Sequence, residues 1–141
     1  MTRVDRILVP VDFSPCSEAA LSYAAALAER FFSEIDVLHV VATPSPCELE
    51  QMRELLERFE ERGVLLQGRV LRSDDPAKTI LEVAQSGGYE LISIGARGHD
   101  HLELRHVGRI AESVLARAVC PVVIIRGPEP WLRIVPALRG G

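Results

Sequence analysis

The sequence predicts a doubly wound α/β domain, a five-stranded parallel sheet in the order 3-2-1-4-5 with helices between the strands. Three observations carry that prediction. Short runs rich in Val, Ile and Leu alternate with segments of helical period along the chain, the pattern of parallel strands joined by crossover helices. Two of the helical segments open on the same device, a capping side chain followed by proline, at Ser14-Pro15 and Asp75-Pro76. The fourth apolar run is followed at once by glycines at Gly95, Gly98 and Gly108, a loop that delivers the chain to a helix start.

Taken in order, residues 6–11 read as a buried first strand through Ile7, Leu8, Val9 and Val11, ended by Pro10 and Asp12. The helix after Pro15 sets Ala20, Tyr23, Ala24, Leu27 and Phe31 on one packed face. Residues 35–41 form the second strand and Thr43-Pro44-Ser45-Pro46 a loop. Residues 48–62 give a highly charged helix with Leu49, Met52, Leu55, Leu56 and Phe59 as its inner stripe and Gly63 as its close. Residues 64–71 alternate only in part, which places the third strand at or near a sheet edge. The helix opened by Asp75-Pro76 ends at Gly87-Gly88. Residues 89–94 are strand four, 110–119 the fourth helix, broken by Cys120-Pro121, and 122–125 strand five. Residues 1–126 thus form a single domain, and 127–141, with Pro128, Pro130, Trp131 and Pro136, a C-terminal tail of no clear period.

Composition narrows the function classes. A chain of 141 residues, 48% hydrophobic and 26% charged, has the size and make-up of one ordinary globular domain. A net charge of −4 gives no footprint for nucleic acid. No apolar run approaches the roughly 20 residues that cross a bilayer, and residues 1–6 lack the features of a signal peptide. The expectation is a cytoplasmic protein with no membrane partner. Cys16, Cys47 and Cys120 are odd in number and widely spaced, which supports neither a disulfide framework nor a zinc site. Cys16, near a helix start that would favour its thiolate, has the plainer reading of a small buried hydrophobe.

Sheets of this kind bind ligands at the carboxyl ends of the strands, where the strand order reverses. In the order 3-2-1-4-5 that point lies between strands one and four. Asp12 closes the first and Gly95 the fourth, so two segments far apart in sequence converge there. Glycines let backbone N–H groups approach a ligand closely, and a helix N-terminus adds unpaired donors and a positive dipole end, a combination that suits phosphate. Arg97, between the first two glycines, faces phosphate or solvent. Asp12 lies beside a ligand or serves as an acid ahead of a helix start.

Other candidates have plainer readings. Gly98-His99-Asp100-His101 resembles the histidine signature of nucleotidyl transferases, but there the signature follows the first strand and here the fourth. His99, Asp100, His101 and His106 are metal-ligand types; a polar loop over the phosphate site accounts for them more simply, and no metal site is assigned. His39 reads as a satisfied histidine within an apolar strand. The Walker A pattern, a Gly-x-Gly-x-x-Gly after strand one and a nucleophile elbow are all missing from the sequence, so no catalytic residue is assigned.

The chain resembles the universal stress protein family. The match is carried by residues 7–14 (Ile-Leu-Val-Pro-Val-Asp-Phe-Ser), Leu38-His39-Val40-Val41, Gly95-x2-Gly98-x9-Gly108, Ala111-Glu112-Ser113-Val114-Leu115, and residues 120–125 (Cys-Pro-Val-Val-Ile-Ile). The resemblance implies a Rossmann-like sheet and, in the nucleotide-binding branch, ATP or AMP, with or without Mg²⁺. It implies a cofactor-binding set of Pro10, Val11, Asp12, Val40, Gly95, Arg97, Gly98, Gly108, Arg109 and Ile110, with the acid at Asp12 beside the nucleotide and the Val40 backbone on the adenine. The family motif ends Gly-Ser/Thr, and here the last position is Arg109. A guanidinium binds phosphate bidentately, yet it is larger than a hydroxyl and either turns to solvent or crowds the γ-phosphate. The resemblance also implies a homodimer through the final strand, whose apolar edge would otherwise stay unpaired. The expected function is an adenine-nucleotide-binding stress-response regulator, a sensor or adaptor. A nucleotide-independent dimeric adaptor with an impaired site and a slow ATP hydrolase are its rivals.

Overall fold

Apolar runs become strands and their capped neighbours helices in the computed structural model, which describes residues 4–97 and 108–127. The elements are β1 (Arg6–Pro10), α1 (Pro15–Phe31), β2 (Glu34–Val41), α2 (Pro46–Glu60), β3 (Leu65–Arg72), α3 (Pro76–Gly87), β4 (Leu91–Gly95), α4 (Arg109–Arg117) and β5 (Val122–Ile125). They form one sheet in the order β3-β2-β1-β4-β5 with every pairing parallel, as the sequence predicts. The third strand lies at an edge.

The alternation of each strand divides the core in two. Ile7, Val9, Ile35 and Val37 point to one face, where Ala20, Leu21 and Ala24 of α1 and Met52, Leu55 and Phe59 of α2 cover them. Leu8, Leu38, Ile92 and Ile94 point to the other, under Ile80 and Ala84 of α3 and Ala111 and Val114 of α4. The buried face of α1 is mostly alanine, which lets the helix lie close to the central strands.

Several boundaries differ from the expected ones, each for a local reason. Ser45 is not loop but the N-cap of α2, with the Glu48 carboxylate accepting from its N–H and its hydroxyl at 2.7 Å each. The Ser-Pro-x-Glu spelling of a capped start is present in the sequence. Phe31 and Leu49, expected on packed faces, are 52% and 59% exposed. Crossover helices run antiparallel to the strands, so the last turn of α1 and the first turn of α2 overhang opposite ends of the sheet. The fourth helix stops at Arg117 rather than 119, where Ala118 turns to extended backbone with φ −68° and ψ 149°. Among the described residues no helix is long and apolar enough to cross a membrane.

Candidate functional site

The crevice begins where β1 and β4 part. They pair only at Ile7↔Leu91 and Leu8↔Ile92, and beyond those residues each strand turns toward a different outer neighbour. The β1–α1 turn, the end of β2, the end of β4 and the start of α4 surround the gap.

Asp12 does not close β1, which ends at Pro10; it sits in the tight turn that follows. The Val11 N–H continues the ladder to the Leu38 carbonyl at 2.8 Å. The Asp12 N–H then donates to Ser17 Oγ at 3.2 Å, and Asp12 Oδ1 accepts from the Ser14 N–H at 3.1 Å. Ser14 caps α1 by accepting from the Ser17 N–H at 3.2 Å. Between these bonds Phe13 takes a left-handed conformation, φ 65°, which is rare for a bulky residue. Its ring lies against His39, with centroids 4.6 Å apart. His39 is buried, and its Nδ1 lies 2.8 Å from the Val11 carbonyl. A carbonyl only accepts, so Nδ1 carries the proton.

The ladder also fixes the direction of Val40. Backbone groups of alternate β2 residues point to opposite neighbours. Glu34 donates to Asp5 and Leu38 accepts from Val11, toward β1, whereas Val41 accepts from Ser73, toward β3. Val40 shares the sense of Glu34 and Leu38. Its N–H and C=O therefore face the side where β1 has already ended.

Gly95 has a packing reason as well as a place at the crevice. A Cβ there would lie 2.8 Å from the Cys16 carbonyl carbon and 2.9 Å from Ser17 N, so the first turn of α1 rests directly on β4. Gly108 is the N-cap of α4 and has no side chain to spend on it; its own N–H donates to the Ala96 carbonyl at 2.5 Å. The first intrahelical bond is Glu112 N–H to the Gly108 carbonyl at 2.9 Å. The helix itself thus leaves the N–H groups of Arg109, Ile110 and Ala111 without a partner. Arg109 and Ile110 are exposed at that end.

Arg97 turns toward β5. Its Nη2 donates to the Arg126 carbonyl at 2.9 Å, while its Nε is buried without a hydrogen-bond partner among the described residues. The carboxyl end of β5 is fastened to the same place, since the Ile125 carbonyl accepts from the Ala96 N–H at 2.7 Å and from Cys16 Sγ at 3.0 Å. Cys16 is buried, as its plainer reading expects.

Pro10, Val11, Asp12, Val40, Gly95, Arg97, Gly108, Arg109 and Ile110 all lie at the carboxyl end of the sheet or on the turns leaving it. Gly98, His99, Asp100, His101, His106 and the segment 128–141 lie outside the described residues. Among the described residues no three His, Cys, Asp or Glu side chains gather to hold a metal. His39 is the satisfied histidine that the sequence predicts, whereas its contact with Phe13 and the part played by Ser17 are not foreseen there. Only His39 left a signal, as a polar ring in an apolar strand.

The opposite end of the sheet holds a second polar cluster that the sequence reading passed over. Asp36, buried in β2, accepts from Arg6 Nη2 at 2.7 Å, from Gln67 Nε2 at 2.8 Å and from the Tyr89 hydroxyl. Burial pushes its carboxyl up, but hydrogen bonds from Tyr89, Gln67 and Arg6 outweigh that and hold it below the ordinary carboxylate value. Burial and the Asp36 bond push the Tyr89 phenol up. These groups line a cavity of about 380 Å³ together with Arg69 and the end of α3.

Comparison with known proteins accords with this fold. A sequence model of the universal stress protein family matches residues 3–126. Universal stress protein MJ0531 of Methanocaldococcus jannaschii is 30% identical, over 88% of this chain and 83% of its own. A universal stress protein in complex with cAMP superposes with a TM-score of 0.73 at 16% identity, covering 90% of this chain and 100% of that one. The universal stress protein from Archaeoglobus fulgidus in complex with dAMP gives 0.70 at 21% identity, covering 89% and 99%. At these identities the two structures are alike in fold.

Proposed function

The chain belongs to the universal stress protein family, and from that premise we propose that it is an adenine-nucleotide-binding regulator, a sensor or adaptor, with its nucleotide seated across the crevice between β1 and β4. The observation that carries this reading is the donor set at the start of α4. Three N–H groups that the helix leaves unbonded adjoin a glycine loop whose Arg97 has a buried Nε with no partner among the described residues. Donors left unbonded at a helix start are a ready site for an anion, and a phosphate is such an anion. Two structures of the same fold are complexes with cAMP and dAMP.

Each residue then has a role. The Val40 N–H and C=O take the adenine edge, Asp12 with Pro10 and Val11 borders the ribose, and Gly95, Arg97, Gly98, Gly108, Arg109 and Ile110 hold the phosphates. ATP or AMP is the ligand, with Mg²⁺ accompanying the longer phosphate chain. Arg109, exposed at the helix start, meets the terminal phosphate from outside. The rival reading, an adaptor that has lost its ligand, predicts no binding at all.

Equilibrium dialysis and thermal shift with ATP, ADP and AMP, each with and without Mg²⁺, test the reading. Binding of at least one nucleotide is expected, and none by either method would falsify it. Arg109→Ser then separates the readings of Arg109: about tenfold weaker ATP binding identifies a phosphate ligand, and tighter binding a steric obstacle. We further propose a homodimer paired through β5, which ends the sheet beside exposed Leu115 and Val119.

A further inference from the structure

We propose that His39 is a positioning residue of the crevice, holding the β1–α1 turn in the form that aims Asp12 into the site; the proposal rests on the nucleotide reading above. Two independent contacts support it, and they lie on either side of Asp12. The His39 Nδ1–H bonds the Val11 carbonyl at 2.8 Å, and the His39 ring packs against Phe13 at 4.6 Å between centroids. Phe13 carries a left-handed φ of 65°, a conformation that persists only where the surroundings over-determine it. The surroundings here are a neighbouring strand. His39 comes from β2, so the turn after β1 is held by the residue that immediately precedes Val40, the proposed adenine contact.

A histidine that merely filled the core would act otherwise. It would tolerate an apolar replacement with some loss of stability and no change at Asp12. A positioning residue needs a donor at the Nδ1 position, and Asn supplies one there while Gln carries its amide nitrogen further out. Phe13→Gly adds an independent handle, because glycine adopts the left-handed conformation without strain and should make the turn less dependent on His39.

The test measures nucleotide affinity by dialysis and amide exchange at Asp12 and Ser14, whose N–H groups bond within the turn. His39→Leu should weaken binding about tenfold and speed exchange at those two amides, with the amides of β4 unchanged. His39→Asn should recover most of both effects and His39→Gln should not; this pair carries the test if the leucine variant does not fold. In a Phe13→Gly background the loss from His39→Leu should shrink to about threefold or less. Unchanged affinity and exchange in His39→Leu, or equal behaviour of Asn and Gln, overturns the proposal. If the native chain binds no nucleotide, the functional reading falls instead, and the exchange measurements alone decide whether His39 holds the turn.

Discussion

A methyl group at residue 95 would lie 2.8 Å from the Cys16 carbonyl carbon. The obstacle is helix backbone, which cannot rotate away as a side chain can. Gly95→Ala therefore forces α1 off β4, and overpacking of this kind costs about 1–3 kcal/mol, to be read as a lowered urea midpoint. An unchanged midpoint would mean that α1 is not seated on β4 as described. The glycine spacing was legible in the sequence, but its cause was only half legible. Spacing announces a loop at a helix start; it does not announce that another helix crosses there. Phe13 was not legible at all, since nothing in its side chain asks for a left-handed backbone, and the partner that holds it comes from 26 residues further on.

Elements are tied together at the lower end of the sheet by Asp36, which collects bonds from β1, β3 and the segment after α3. Its carboxyl is held below the ordinary value of 3.8. The sign follows directly: the stability this group adds is present above that value and is lost as pH falls through the lower folded value. Asp36→Asn should cost about 2 kcal/mol at neutral pH, from lost charged hydrogen bonds. The half-exposed Arg6 adds little as a charge because solvent screens it. Denaturant midpoints measured from pH 6 downward should show a smaller acid loss in the variant than in the native chain; parallel curves would sink this account. The strands are legible in the sequence and the cluster is not, because Asp36 shows there as an acid within an apolar run while its partners emerge only once Leu8↔Asp36 and Asp36↔Gln67 are known to be neighbours. Register is a property of pairs of elements and is not written in either one.

At the scale of the whole molecule the strand order was legible, since alternating strands and helices admit few right-handed windings. The crevice followed from the order. What a second copy would meet at β5 can now be stated by residue. Ile125 bonds toward β4, so alternation turns the Ile124 N–H outward, to the open edge. Ile124→Pro removes that donor while sparing the inner ladder. Light scattering should give a dimer for the native chain and a monomer for the variant, and a dimer in both cases would place the interface elsewhere.

That same strand ends under three fastenings, to Ala96, Cys16 and Arg97. The edge that the proposed dimer would use and the turn that the proposed phosphate would meet thus share one short strand. Thermodynamic reciprocity makes any coupling between them equal in both senses. If both proposals hold, whatever factor the ligand applies to assembly, assembly applies to the ligand, and protein concentration would then tune nucleotide affinity.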